Sequence, residues 1–126
     1  MAFGAMGGPI SGLIITCKTP DTGTVALEAG DAVKLTGDYE ISNAFAEGDR
    51  VFGEAMADCA ENGAAVPVRV RGVCVFRYSG TAPAVDGVSG VTPSTEAGRV
   101  LVADTSAARG LAVKVNPEAG TVEVLL

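Results

Sequence analysis

Residues 66–78 read VPVRVRGVCVFRY, and the fold turns on how this stretch is read. Side chains alternate between the two faces of an extended chain, so Val66, Val68 and Val70 share one face while Arg69 and Arg71 share the other. After Gly72 the chain continues as VCVFRY, β-branched and aromatic residues that pack well on a pleated surface. Pro67 has no N–H to give to a ladder, which predicts an edge strand or a strand that starts at the proline. The stretch is strand, and the rest of the chain reads as more of the same.

Ahead of it, residues 13–18 (LIITCK), 24–28 (TVALE), 31–36 (ending AVKLT) and 39–41 predict short strands separated by turns. Residues 50–60 (RVFGEAMADCA) contain helix-favouring Glu and Ala, but Gly53 lies inside and Val51-Phe52 leads; the expectation is a strand ended by Glu61-Asn62-Gly63. Beyond it, residues 79–98 shift to Gly, Pro, Ser, Thr and Ala. That composition predicts a long loop with one short helix or strand near 85–91. Residues 99–103, 111–115 and 121–126 predict strands again, the last two joined by a hairpin-type turn at 116–120. Glu-Ala-Gly begins at Glu28, Glu96 and Glu118, and Glu-Asn-Gly at Glu61, each time leading into a predicted strand. Irregular spacing makes this a reused turn rather than a solenoid repeat. Eight to ten short strands without a helix predict an all-β domain, a small barrel or a sandwich, spanning residues 13–126.

The totals agree. A chain of 126 residues suffices for one core. Its 17 glycines exceed the usual share of roughly 7%, as expected where strands are short and turns tight. A net charge of −6 repels phosphate backbones and argues against direct nucleic-acid binding. With no histidine, the chain lacks the commonest general base and the commonest zinc ligand, so the expectation is a non-enzyme without metal or cofactor. Cys17, Cys59 and Cys74 are odd in number and form no CxxC, which predicts buried thiols in a reducing compartment. No apolar run reaches the ~18 residues of a membrane span, and the start lacks the basic residues of a signal peptide. A cytoplasmic origin is expected.

Residues 1–12 (MAFGAMGGPISG) contain too much Gly and Pro for regular structure, yet carry Phe3, Met6 and Ile10. They predict either a tail or a flexible arm that orders on a partner. Asp21-Thr22-Gly23-Thr24 resembles the active-site tetrapeptide of aspartic peptidases, in which two carboxylates share a proton; Lys18-Thr19-Pro20 stands where that family has apolar strand residues. Pro20-Asp21-Thr22-Gly23 is equally a favourable β-turn. Gly7–Gly12 lacks the lysine of a phosphate-binding loop. Asp31, Asp38 and Asp49 occupy separate turns without calcium-loop spacing and read as solvated. Arg69, Arg71 and Arg77 form the basic cluster, candidates for a subunit interface or for a solvated face.

Residues 50–73, in the order Val-Phe-Gly-Glu-Ala, Ala-Asp, Asn-Gly and Val-Pro-Val-Arg-Val-Arg-Gly-Val, resemble bacteriophage head-decoration (capsid cement) proteins. Residues 28–37 and the terminal segments 110–113 and 118–126 are similar to the same family, so the likeness covers most of residues 24–126. The resemblance implies a compact β domain of the tulip type, forming homotrimers on the capsid exterior and clamping neighbouring major capsid proteins. It implies that the arm, through Phe3, Met6 and Ile10, contacts the shell, and that the protein resides on the virion after synthesis in the host cytoplasm. The 79–98 loop departs most from that family. A β-domain binding module of a phage tail or adhesin is the alternative, and a dimeric aspartic peptidase acting through Asp21 a third reading.

Overall fold

The computed structural model describes residues 11–46 and 48–126. Its longest element takes in residues 66–77 of the stretch quoted above as one strand, β5 (Ala65–Arg77). Before it come β1 (Gly12–Lys18), β2 (Ala32–Gly37), β3 (Glu40–Ser42) and β4 (Gly53–Ala55). After it come β6 (Gly90–Pro93), β7 (Val100–Ala103), β8 (Leu111–Asn116) and β9 (Thr121–Leu125). No helix occurs among the described residues, and the fold is all-β.

The two halves of β5 serve different circuits of pairing. Its first half lies between β1 and β4, both antiparallel to it. β4 pairs with β2, β2 with β3, and β3 returns to β1 through the parallel pair Lys18↔Glu40. The pairings therefore close on themselves, barrel-like, through one narrow contact. Cys17, Val33, Ile41, Ala55, Val66, Val68 and Val70 of the five strands, joined by Leu27, form a single buried cluster. Each valine so enclosed contributes about 1.5–3 kcal/mol relative to exposure.

The second half of β5 pairs with β9, and β9 with β8. The β6–β7 hairpin meets this sheet at both sides. Val100 bridges Tyr78, Val91 bridges Arg109, and the Ala112 N–H donates to the Ser89 carbonyl at 2.9 Å. Enclosed here are Cys74, Phe76, Tyr78, Val91, Val100, Ala112, Val122 and Val124, with Ala32 and Val51 reaching in from the first half. Gly72 stands at the changeover with φ +98°, and a Cβ there would lie 2.7 Å from the Ser11 carbonyl oxygen. Only glycine satisfies both conditions.

The recurring Glu-x-Gly turn is a real device. Gly30, Gly63, Gly98 and Gly120 all have positive φ, between 62° and 91°, and each turn delivers the chain into β2, β5, β7 or β9.

Three expectations need correction. Pro67 is neither first nor at an edge: it is the third residue of β5, opposite Thr16 of β1, and its carbonyl accepts the Met56 N–H at 2.9 Å. The missing proline N–H falls on that same side, one residue past the end of β4, where no ladder continues. Residues 24–28 are not a strand. They are an extended segment with one bridge, Leu27↔Cys59, and their alternation arises because Leu27 plugs the first cluster. Of residues 50–60 only Gly53–Ala55 pair as a strand. Within the 79–98 segment, the short element expected near 85–91 is a strand, β6, displaced to residues 90–93 and pinned to β7 and Arg109. Phe3, Met6 and Ile10 lie outside the described residues; β1 begins at Gly12, the last residue of the expected arm.

Candidate functional site

Among the described residues, β1 is the strand in which two neighbouring large apolar residues face outward. Cys17 is buried and Ile15 packs partly on the first cluster, but Leu13 and Ile14 are 53% and 46% exposed. A register shift falls between them: Leu13 lies opposite Arg71 and Ile14 opposite Arg69, so β5 spends an extra residue there. The bulge breaks the alternation that would have turned Leu13 inward. Because β3 meets β1 only at Lys18, residues 12–16 of β1 pair, among the described residues, on their β5 side alone. Among these residues the result is an open strand edge beside two exposed aliphatic side chains, with Arg71 exposed across from Leu13.

The three arginines expected at a subunit interface have separate roles. Arg71 faces solvent. Arg69 lies opposite Glu54, donates through Nη1 to the Val73 carbonyl at 3.3 Å, and has a buried Nε with no acceptor among the described residues. Arg77 is engaged within the chain. Its guanidinium binds the carboxylate of Asp31 and reaches Glu28 at 3.4 Å.

Asp31, expected to be a solvated turn residue, is only 4% exposed. Besides Arg77, it accepts the Glu28 N–H at 2.9 Å and the Asn43 side-chain amide at 2.8 Å. Four segments are tied at that carboxylate, because the Gly98 turn packs on it so closely that a Cβ there would collide. Asp49 is likewise engaged, by Lys34 at 2.8 Å, and this pairing together with the Ala46 N–H holds its carboxyl below the usual range.

Where the two circuits meet, Glu54 is buried and accepts the Val75 N–H at 3.1 Å. Burial pushes its pKa up, against that hydrogen bond and the pull of Arg69. Burial also pushes the Cys74 thiol up to about 12, with the Glu54 charge adding to it. Cys17 is raised by burial as well. Thiols held in that form are inert. Cys59, expected to be buried, is only partly so. Arg109 crosses the same junction and donates to the carbonyls of Val51 at 3.2 Å, of Phe52, and of Val70 at 2.7 Å. Its pKa is lowered by burial and by the neighbouring Arg71 charge, yet a guanidinium stays protonated throughout.

Asp21 is an exposed turn residue, its side chain 68% accessible and 3.4 Å from Lys18. The Pro20 carbonyl before it accepts from Asn62 and Gly63, which makes the Asp-Thr-Gly segment a tethered turn. Among the described residues no three His, Cys, Asp or Glu side chains gather as a metal site.

Arg109, Glu54 and Asp31 are what the sequence reading missed. For Asp31 a cue existed: of the three Glu-Ala-Gly turns, only this one is followed by Asp. For Glu54 and Arg109 no local cue exists, because their partners lie far along the chain, from Arg69 opposite Glu54 on the neighbouring strand to Val51, 58 residues from Arg109. The sequence matches no family model and no curated protein.

Proposed function

We propose that this protein is a non-enzymatic capsid decoration protein that binds the outside of an assembled viral head and stabilises contacts between major capsid proteins. The observation that carries the reading is the outward face of β1. An edge open among the described residues, with Leu13 and Ile14 exposed, begins where residues 1–10 join β1. Main-chain donors and acceptors along such an edge suit the addition of a partner strand, and the flanking aliphatics supply buried area. The order of motifs from residue 24 to 126 supports the same reading, as does the all-β architecture. In this reading the chain acts as a homotrimer on the virion exterior, and weak contacts become strong because many copies engage at once. Among the described residues, Arg71 is an exposed cation of this face with no ion pair, able to meet a partner's carboxylate.

The test is quantitative mass spectrometry of purified particles from the source, followed by readdition of recombinant chain to particles stripped of it. A ratio near one copy per major shell subunit is expected. Ile14→Asp is expected to lower occupancy at least about tenfold while leaving the melting curve within error, since Ile14 is exposed. Absence from particles would sink the reading and favour a binding module of a tail or adhesin instead.

A further inference from the structure

Among the described residues, Tyr39 is the one non-glycine with a positive φ, at +54°. A side chain is disfavoured in that region because its Cβ crowds the following carbonyl, a penalty that glycine escapes. The turn that carries Tyr39 is tied on both sides. The Thr36 hydroxyl donates to the Glu40 carboxylate at 2.7 Å, and the Tyr39 carbonyl accepts the Lys18 N–H at 2.8 Å. Yet Tyr39 is 66% exposed, so the residue that makes this conformation costly is not there to fill the core.

Its position gives the strain a use. β1 and β3 share one pair, Lys18↔Glu40, and Tyr39 is the residue just before Glu40, on the side toward the start of β1. From there the lane beside residues 12–16 is open among the described residues. A strand laid in that lane continues the place of β3 in the sheet. Its near end comes level with Thr16, two residues or about 7 Å short of Lys18. Tyr39 therefore stands at the closed end of the lane. Residues 12–17 (GLIITC) contain no lysine, no proline and no charge, the side chains that guard free edges elsewhere. Unguarded main-chain donors and acceptors suit an extended chain, and exposed Leu13 and Ile14 suit one that carries apolar side chains.

We propose that Tyr39 anchors this docking edge: a strand of the shell protein pairs along residues 12–16, and its end packs against the Tyr39 ring. The partner's identity rests on the decoration reading, to which Tyr39 adds the point where the partner strand stops. A rigid ring on a tied turn docks at little cost in conformational entropy. The chain keeps tyrosine where glycine would fold as well, because the contact needs the ring.

The chain has two tyrosines and Tyr78 is buried, so nitration reports on Tyr39. The full chain is treated with tetranitromethane, free and after readdition to stripped particles, and nitrated peptides are quantified by mass spectrometry. Tyr39 is expected to react in the free chain and at least about tenfold more slowly on particles, where the contact excludes water. Tyr39→Gly is expected to melt at or above the wild-type temperature, since glycine takes φ +54° without penalty. The same variant is expected to bind particles at least about tenfold more weakly, and Tyr39→Phe to restore binding. A Tyr39 that is unreactive in the free chain, or that reacts equally on particles, would overturn the proposal. So would a Tyr39→Gly chain that binds like wild type or melts well below it, or a Tyr39→Phe chain that fails to restore binding. Wild type that does not bind stripped particles is failure of the decoration reading, and the partner named here falls with it. Wild type that binds while Tyr39 stays reactive overturns the anchor alone.

Discussion

Glu54 is a carboxylate enclosed where two cores meet, with the Val75 N–H, the Arg69 guanidinium and the Cys74 thiol for company. Desolvation outweighs all three, so its folded-state pKa stands above the unfolded value. The sign follows from linkage: the folded state prefers the protonated form, so the contribution to stability is complete below the unfolded pKa and is lost as pH rises through the folded one. Glu54→Gln keeps an acceptor for the Val75 N–H and cannot ionise. Urea melts at pH 4 and pH 7 are therefore expected to show the variant gaining on wild type as pH rises; a difference that does not change with pH would refute the assignment. Arg109 is the opposite case, a cation whose value lies in the carbonyls it satisfies. In Arg109→Met the acceptors of Val51, Phe52 and Val70 lose their donor, which costs about 2–4 kcal/mol because buried acceptors left unmade forfeit their desolvation. A loss below about 1 kcal/mol in the same melts would mean that water replaces the guanidinium.

Strands announce themselves in this sequence wherever hydrogen bonding and burial coincide. In β5 and β9 the alternation of apolar residues matches the pleat, and the pattern is legible in the sequence. Residues 24–28 show the limit, since Leu27 alternates inward without a ladder, and burial alone produces the same pattern as a strand. Pro67 shows it from the other side: the residue reads as an edge signal, yet it sits inside a strand because β4 is only three residues long and stops before the proline needs a donor. The outward face of β1 was hidden for a similar reason. A bulge at Val70 of β5 falls between the partners of Leu13 and Ile14, and a bulge leaves no mark in composition. The element most sensitive to a single change is β5 at Gly72. An alanine there must hold φ near +98° and place its methyl against the Ser11 carbonyl. Gly72→Ala is expected to cost about 1–3 kcal/mol. It should also speed amide exchange along β1 more than along β9, since β1 is the strand that must move. Uniform exchange changes would show that the bend is not localised.

At the scale of the molecule, one strand belonging to two circuits has a thermodynamic consequence. Val66, Val68 and Val70 are enclosed in the first cluster, and Cys74 and Phe76 in the second, so neither core survives if β5 leaves its place. Ala32 and Val51 tie the halves further: Ala32 packs in the second cluster while its neighbour Val33 packs in the first. Arg109 adds a polar crossing, from the loop before β8 to carbonyls beside β4 and within β5. A chain divided at Gly72 into two independent units would unfold in two steps, whereas a shared spine makes partial opening expose both interiors at once. Unfolding is therefore expected to be two-state. Hydrogen exchange measured against denaturant checks this at the Cys17 amide of the first circuit and the Val122 amide of the second. Both isotherms should merge at one global free energy. Val68→Ala and Val124→Ala, each removing two methyl groups from a different cluster, are expected to lower that common value by about 1–3 kcal/mol. If Val68→Ala lowers only the Cys17 isotherm and Val124→Ala only that of Val122, β5 is two strands in sequence, and the apparent unity of the fold is only continuity of the chain.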